Sequence, residues 1–204
     1  MVKVKICGIT SIEDALHAAA CGVDALGLVF YARSPRGVSL DLARQIVAEL
    51  PPLVTTVGLF VNETPEQIRE IVDTCGLDVI QLHGDEGPDQ CLYPPRRVLK
   101  ALRVQGEHSL AGIDDYRVSA LLLDAWRPDS YGGTGHVCDW QLAARVAAGR
   151  RVILAGGLTP ENVAEAIRLV RPYGVDVSSG VEIAPGRKDP ERVASFIHNA
   201  KSAV

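Results

Sequence analysis

A thiol, two carboxyls, an imidazole and two guanidiniums stand at or near the ends of short apolar runs. Cys7 closes Lys3-Val4-Lys5-Ile6-Cys7, His83 follows Asp78-Val79-Ile80-Gln81-Leu82, and Asp124 follows Ser119-Ala120-Leu121-Leu122-Leu123. Arg33 and Arg36 come just after the second run, and Asp176 sits inside the last. A carboxyl reached through so apolar a run is partly desolvated, which favours its protonated form and suits a general acid near neutrality. Asp124 is therefore expected to donate a proton. A thiolate at Cys7 could act as a base, or as a nucleophile if a histidine such as His83 were oriented beside it. Arg36, in Arg33-Ser34-Pro35-Arg36-Gly37, carries a planar fork that matches a carboxylate or a phosphate. His83 and Asp176 join it as candidate substrate-binding groups.

Two further stretches fit an anion. The seventh run leads into Ala155-Gly156-Gly157-Leu158-Thr159-Pro160, and the eighth into Ser178-Ser179-Gly180-Val181-Glu182. Glycines let backbone N–H groups approach an anion closely, and a helix N-terminus adds its positive dipole end. Gly156, Gly157, Ser178, Ser179 and Gly180 are expected to hold phosphate. After the sixth run, Tyr131-Gly132-Gly133-Thr134-Gly135 gives a loop with the dihedral freedom of a lid over substrate, with Gly132, Gly133 and Gly135 as its hinges.

These residues need a scaffold that gathers strand ends on one face. Apolar runs rich in β-branched residues begin near Lys3, Asp24, Val54, Asp78, Val98, Ser119, Arg151 and Gly174. Their continuous apolar character marks strands covered on both faces, as in a parallel sheet. Amphipathic stretches separate them. Thr64-Pro65-Glu66-Gln67 combines an N-cap, a first-turn proline and a capping-box glutamine, and Thr159-Pro160 and Asp189-Pro190 repeat the cap-then-proline order. Ser11 precedes another helix, and a further one is expected around Pro88–Tyr93. Eight strand-then-helix units of about 25 residues each predict a single-domain (β/α)8 barrel over residues 1–204. An open doubly wound sheet would carry a G-x-G-x-x-G turn after its first strand, where this chain has Cys7-Gly8-Ile9-Thr10. In a barrel, chemistry sits on the loops after strand C-termini. The two longest such loops run from Tyr31 to Ser39 and from Ala125 to Val137.

Composition narrows the partners. The chain has 204 residues, 47% of them hydrophobic and 23% charged, with a formal net charge of −4 and no run of Lys or Arg. That argues against a nucleic-acid surface, and no stretch has the length of a membrane span. The N-terminal residues pass directly into the first strand, so no signal peptide is expected. The five cysteines include no Cys-x-x-Cys pair and the five histidines are scattered, which points to a reducing, cytoplasmic setting and to no metal site.

Taken together the motifs resemble one family. Val4-Lys5-Ile6-Cys7-Gly8-Ile9-Thr10, Ser34-Pro35-Arg36, Gly58-Leu59-Phe60-Val61-Asn62, Gln81-Leu82-His83-Gly84, Leu122-Leu123-Asp124, Gly132-Gly133-Thr134-Gly135, Ala155-Gly156-Gly157-Leu158 and Val175-Asp176-Val177-Ser178-Ser179-Gly180-Val181-Glu182 are similar, in that order, to those of phosphoribosylanthranilate isomerases. The resemblance implies a cofactor-free barrel, monomeric or homodimeric, that performs an Amadori rearrangement of a phosphorylated substrate in tryptophan biosynthesis. It further implies Cys7 as base, Asp124 as acid, and Arg36 on the anthranilate carboxylate. His136-Val137-Cys138 departs from the Lys-Thr-Phe that the family more often places before Asp-Trp. Two rivals are a metal-dependent sugar-phosphate epimerase, which needs paired histidines and aspartates, and a non-catalytic sugar-phosphate sensor, which has no need of an acid and a base. A dual-substrate isomerase would be expected to carry aspartate in place of Cys7.

Overall fold

The computed structural model describes residues 1–125 and 139–203. Eight parallel strands close into a barrel in chain order. They are β1 (Lys3–Cys7), β2 (Ala25–Val29), β3 (Thr55–Phe60), β4 (Val79–Leu82), β5 (Arg97–Val104), β6 (Ala120–Ala125), β7 (Val152–Leu154) and β8 (Gly174–Val177). Closure pairs β8 with β1 through Val4↔Val175 and Lys5↔Asp176.

Strand side chains alternate between two environments. One set, with Val57, Val79, Leu99, Ala101, Ala120, Leu122 and Ile153, packs together inside the barrel. The other set, including Ile6, Leu26, Ile80, Leu121, Leu123 and Val175, packs outward against the helices. With aromatics at 5% of the chain, branched aliphatics and alanine build most of both layers, joined in the outer one by Phe60 and Phe196.

Six α-helices cover the barrel among the described residues: α1 (Ile12–Ala20), α2 (Leu40–Glu49), α3 (Pro65–Cys75), α4 (Trp140–Ala147), α5 (Val163–Val170) and α6 (Pro190–Lys201). Ser11, Ser39, Thr64, Asp139 and Asp189 each accept a backbone N–H in the first turn that follows, which satisfies donors that a helix start leaves unpaired. In α3, Ile68, Val72 and Cys75 form the buried stripe, and Gly76, at φ 67°, closes the helix by donating to the Val72 carbonyl.

Four expectations are corrected. The stretch around Pro88–Tyr93 forms a 3-10 turn, Pro88–Cys91, in place of a helix. Two more 3-10 turns, Glu107–Leu110 and Ile113–Asp115, replace a helix between β5 and β6, so the strand-then-helix alternation is not uniform. Thr159 does not cap a helix at Pro160: α5 starts at Val163, because the Asn162 side chain folds back to accept from Thr159 N at 2.8 Å and donate to the Gly157 carbonyl at 2.9 Å. Gln67 does not close a capping box either. Its Oε1 receives the Thr64 hydroxyl, while Thr64 N donates to Glu63. After β8 the chain adds a short antiparallel hairpin, β9 (Glu182–Ala184) with β10 (Arg187–Lys188).

Candidate active site

The inner wall turns from apolar to polar toward the C-terminal ends of the strands. Lys5, Cys7, Gln81, His83, Asp124 and Asp176 are all buried. Each comes from a different strand or two residues further along the same one, as an alternating pattern requires. Asp124, 5% exposed, lies opposite Arg103 in the β5–β6 register. His83 Nε2 stands 3.3 Å from Asp124 Oδ2, within ion-pair range but outside hydrogen-bond alignment. On the far side of the ring, Nδ1 is 3.0 Å from Gln81 Nε2. An amide NH2 there makes Nδ1 the acceptor, which puts the ring proton on Nε2, facing Asp124. His83 thus adjoins the carboxyl.

Cys7 packs with Val29, Leu59, Val61 and Tyr31 at the top of the barrel. Burial pushes its thiol above the ordinary value, against the pull of the neighbouring Lys5 and Lys188 ammoniums. Lys5 Nζ is 2.8 Å from Asp176 Oδ1, so Asp176 reaches the mouth already holding a cation. Burial would lower the Lys5 pKa, yet Asp176 and Cys7 outweigh it and hold the ammonium above its usual value.

Arg36 turns inward while Arg33 stays exposed. The Arg36 fork meets Glu182 through Nε at 2.9 Å and Nη2 at 2.6 Å. Glu182 also receives Lys188 Nζ at 2.7 Å, and that ammonium donates to the Cys7 carbonyl at 2.6 Å. Burial resists ionisation of Glu182, but the bonds from Arg36 and the charge of Lys188 hold its carboxyl below the usual range.

The two glycine loops meet beside this network. Gly156 and Gly157 have φ of 80° and 67°, a region in which an L side chain is strained. Gly180 presses on the neighbouring loop so closely that a Cβ there would stand 1.9 Å from the Leu158 carbonyl oxygen. The N–H groups of Gly157, Ser179 and Gly180 donate to no backbone acceptor among the described residues. Ser178 Oγ is buried without a hydrogen-bond partner among them, near the position a Cβ on Gly8 would take. An unpaired buried hydroxyl is rare in a finished fold, so this spot beside two glycine loops is suited to an anionic ligand.

Of the expected site residues, Cys7, Arg36, His83, Asp124, Asp176, Gly156, Gly157, Ser178, Ser179 and Gly180 all collect at this end of the barrel. Gly132, Gly133 and Gly135, the expected lid, lie outside the described residues. The sequence reading passed over Lys5, Gln81, Glu182 and Lys188. Lys5 had a signal: it shares the odd-numbered face of β1 with Cys7. Lys188 had none, since the hairpin that carries it has no hydrophobic pattern.

A closed eight-stranded parallel barrel with its polar groups gathered at one mouth defines a TIM-barrel enzyme. The profile of the N-(5'-phosphoribosyl)anthranilate (PRA) isomerase family matches residues 4–199. The N-(5'-phosphoribosyl)anthranilate isomerase of Pelobacter propionicus is 57% identical, over 98% of this chain and 96% of its own. The crystal structure of phosphoribosyl anthranilate isomerase from Thermotoga maritima superposes with a TM-score of 0.93 at 45% identity, over 99% of this chain and all of that one. A phosphoribosyl anthranilate isomerase solved with reduced 1-(o-carboxyphenylamino)-1-deoxyribulose 5-phosphate gives a TM-score of 0.90 at 44% identity, over 99% and 100% of the two chains. The chain belongs to the phosphoribosylanthranilate isomerase family.

Proposed function

We propose that this barrel converts N-(5-phosphoribosyl)anthranilate into 1-(2-carboxyphenylamino)-1-deoxyribulose 5-phosphate, with Asp124 as general acid and Cys7 as general base. Supporting it above all is the burial of both groups on the inner wall at one mouth, beside a Ser178 hydroxyl that has no partner among the described residues.

The steps follow from the groups. Opening the furanose ring needs a proton on the ring oxygen as the C1–O bond breaks; Asp124 supplies it and becomes a carboxylate. The resulting iminium makes the C2 proton acidic. The Cys7 thiolate takes that proton, and the C2–H electron pair forms an enolamine while the iminium nitrogen becomes neutral. Tautomerisation moves a proton from the C2 hydroxyl to C1 and leaves the aminoketose. No atom is gained or lost. His83, 3.3 Å from Asp124, faces it with Nε2–H and favours the carboxylate that forms as Asp124 gives up its proton.

Phosphate binds at Gly156, Gly157, Ser178, Ser179 and Gly180, and the anthranilate carboxylate at Arg36, whose Nη1 edge stays clear of the Glu182 bonds. Asp176 and His83 line the ribose between them. The relative solved with the reduced product analogue supports a ligand of this shape in such a mouth.

The test is the loss of anthranilate-adduct fluorescence when purified protein meets N-(5-phosphoribosyl)anthranilate. Asp124→Asn should abolish that loss while binding of the reduced product analogue persists. Wild-type protein that leaves the fluorescence unchanged would overturn the assignment.

A further inference from the structure

Lys5 has no part in the steps above, yet its side chain is 95% buried inside the wall. An ammonium so placed is costly unless paired. Asp176 of β8, at 2.8 Å, supplies the pair, but a second relationship is unexplained by it. Lys5 and Cys7 lie two residues apart on the same face of β1. Gly27 of β2, opposite Cys7 in register, leaves a gap between them. A Cβ on Gly27 would stand 2.8 Å from Cys7 Sγ and 3.0 Å from Lys5 Nζ. Thiol and ammonium therefore converge on the space that this glycine keeps open.

We propose that Lys5, anchored by Asp176, is a positioning residue whose ammonium offsets the burial of Cys7 and favours its thiolate, aimed into the mouth. The proposal rests on the reading of Cys7 as base, and extends it to the source of the thiolate. A positive charge within a few ångströms in a low-dielectric wall favours the thiolate over the thiol. The other groups around Cys7 are few. Lys188 of β10 donates to its carbonyl and acts in the same direction, Asp176 opposes, and Tyr31 is the ionisable member of the apolar group packed on it. Lys5 is the strongest of the charged influences, set against burial.

The experiment reads the thiolate directly. Ultraviolet thiolate absorbance is titrated in each variant and referenced to the same variant carrying Cys7→Ser, which isolates Cys7. Lys5→Met should raise the Cys7 midpoint by about one pH unit, a tenfold loss of thiolate at a given pH. Lys5→Arg should restore it. A Lys5→Met midpoint that coincides with wild type overturns the proposal; should that variant not fold, a Lys5→Gln midpoint that coincides with wild type does so instead. The pH profile of kcat/KM separates the two layers. If the midpoint moves and the profile does not, Lys5 tunes Cys7 but Cys7 is not the base.

Discussion

Arg36 and Glu182 form a two-pronged ion pair, at 2.9 and 2.6 Å, between the loop after β2 and the segment after β8. Lys188 adds a second cation to the same carboxylate, so this corner of the mouth keeps a net positive charge for an anionic ligand. With Arg36 on the ligand carboxylate as proposed, Glu182 acts by orienting that guanidinium. Glu182→Gln should raise KM for N-(5-phosphoribosyl)anthranilate roughly tenfold, about 1.4 kcal/mol, with a smaller change in kcat. A kcat loss at constant KM, measured by steady-state fluorescence, would assign Glu182 to the chemistry.

The same pair carries a pH signature. Glu182 is held below its ordinary value near 4.5 by Arg36 and Lys188, against burial. A depressed carboxyl contributes stability that is fully present above the unfolded value and is lost as pH falls through the folded one. Chemical denaturation below about pH 4.5 should thus show wild type losing stability more steeply than Glu182→Gln, and the two curves converging. Parallel curves would show that Glu182 ionises alike in folded and unfolded chains.

For catalysis the sign is opposite. Burial holds the Cys7 thiol above its ordinary value, so the thiolate fraction grows as pH rises from neutrality. With Cys7 as base, kcat/KM should climb through the neutral range toward alkaline pH. Cys7→Ser, whose hydroxyl is a far poorer base, should fall by roughly 10²–10⁴-fold. A flat profile in wild type would remove Cys7 from proton transfer.

How far the sequence carried this site depended on whether a residue's neighbours were local. Cys7 and Asp124 were legible because each ends an apolar run, and a parallel barrel sends all such ends to one mouth. Gly156, Gly157 and Gly180 were legible as turn chemistry at known strand ends. Lys5 read as part of a strand, since its partner Asp176 lies 171 positions away. Glu182 was visible in the eighth motif, but its bond to Arg36 spans 146 positions and exists only once the barrel closes. The helix expected around Pro88–Tyr93 failed on length. Within the connection 83–96 only the four residues Pro88–Cys91 turn helically, and Glu86, buried against Lys100 at 2.6 Å, pins the chain just before the turn.

Two glycines separate the demands of the site from those of the backbone. Gly76 sits at φ 67° with nothing within 4 Å of a Cβ. Gly76→Ala should then cost about 1 kcal/mol of stability through the left-handed conformation alone, with turnover intact. Gly180 has an ordinary φ, but a Cβ there would lie 1.9 Å from the Leu158 carbonyl, a backbone atom that cannot swing aside. Gly180→Ala must push the two glycine loops apart and, where those loops hold phosphate as proposed, spread their N–H groups. Calorimetry with the reduced product analogue should show at least tenfold weaker binding for Gly180→Ala and none of that loss for Gly76→Ala. Equal affinities in both variants would mean that phosphate is held elsewhere on the mouth.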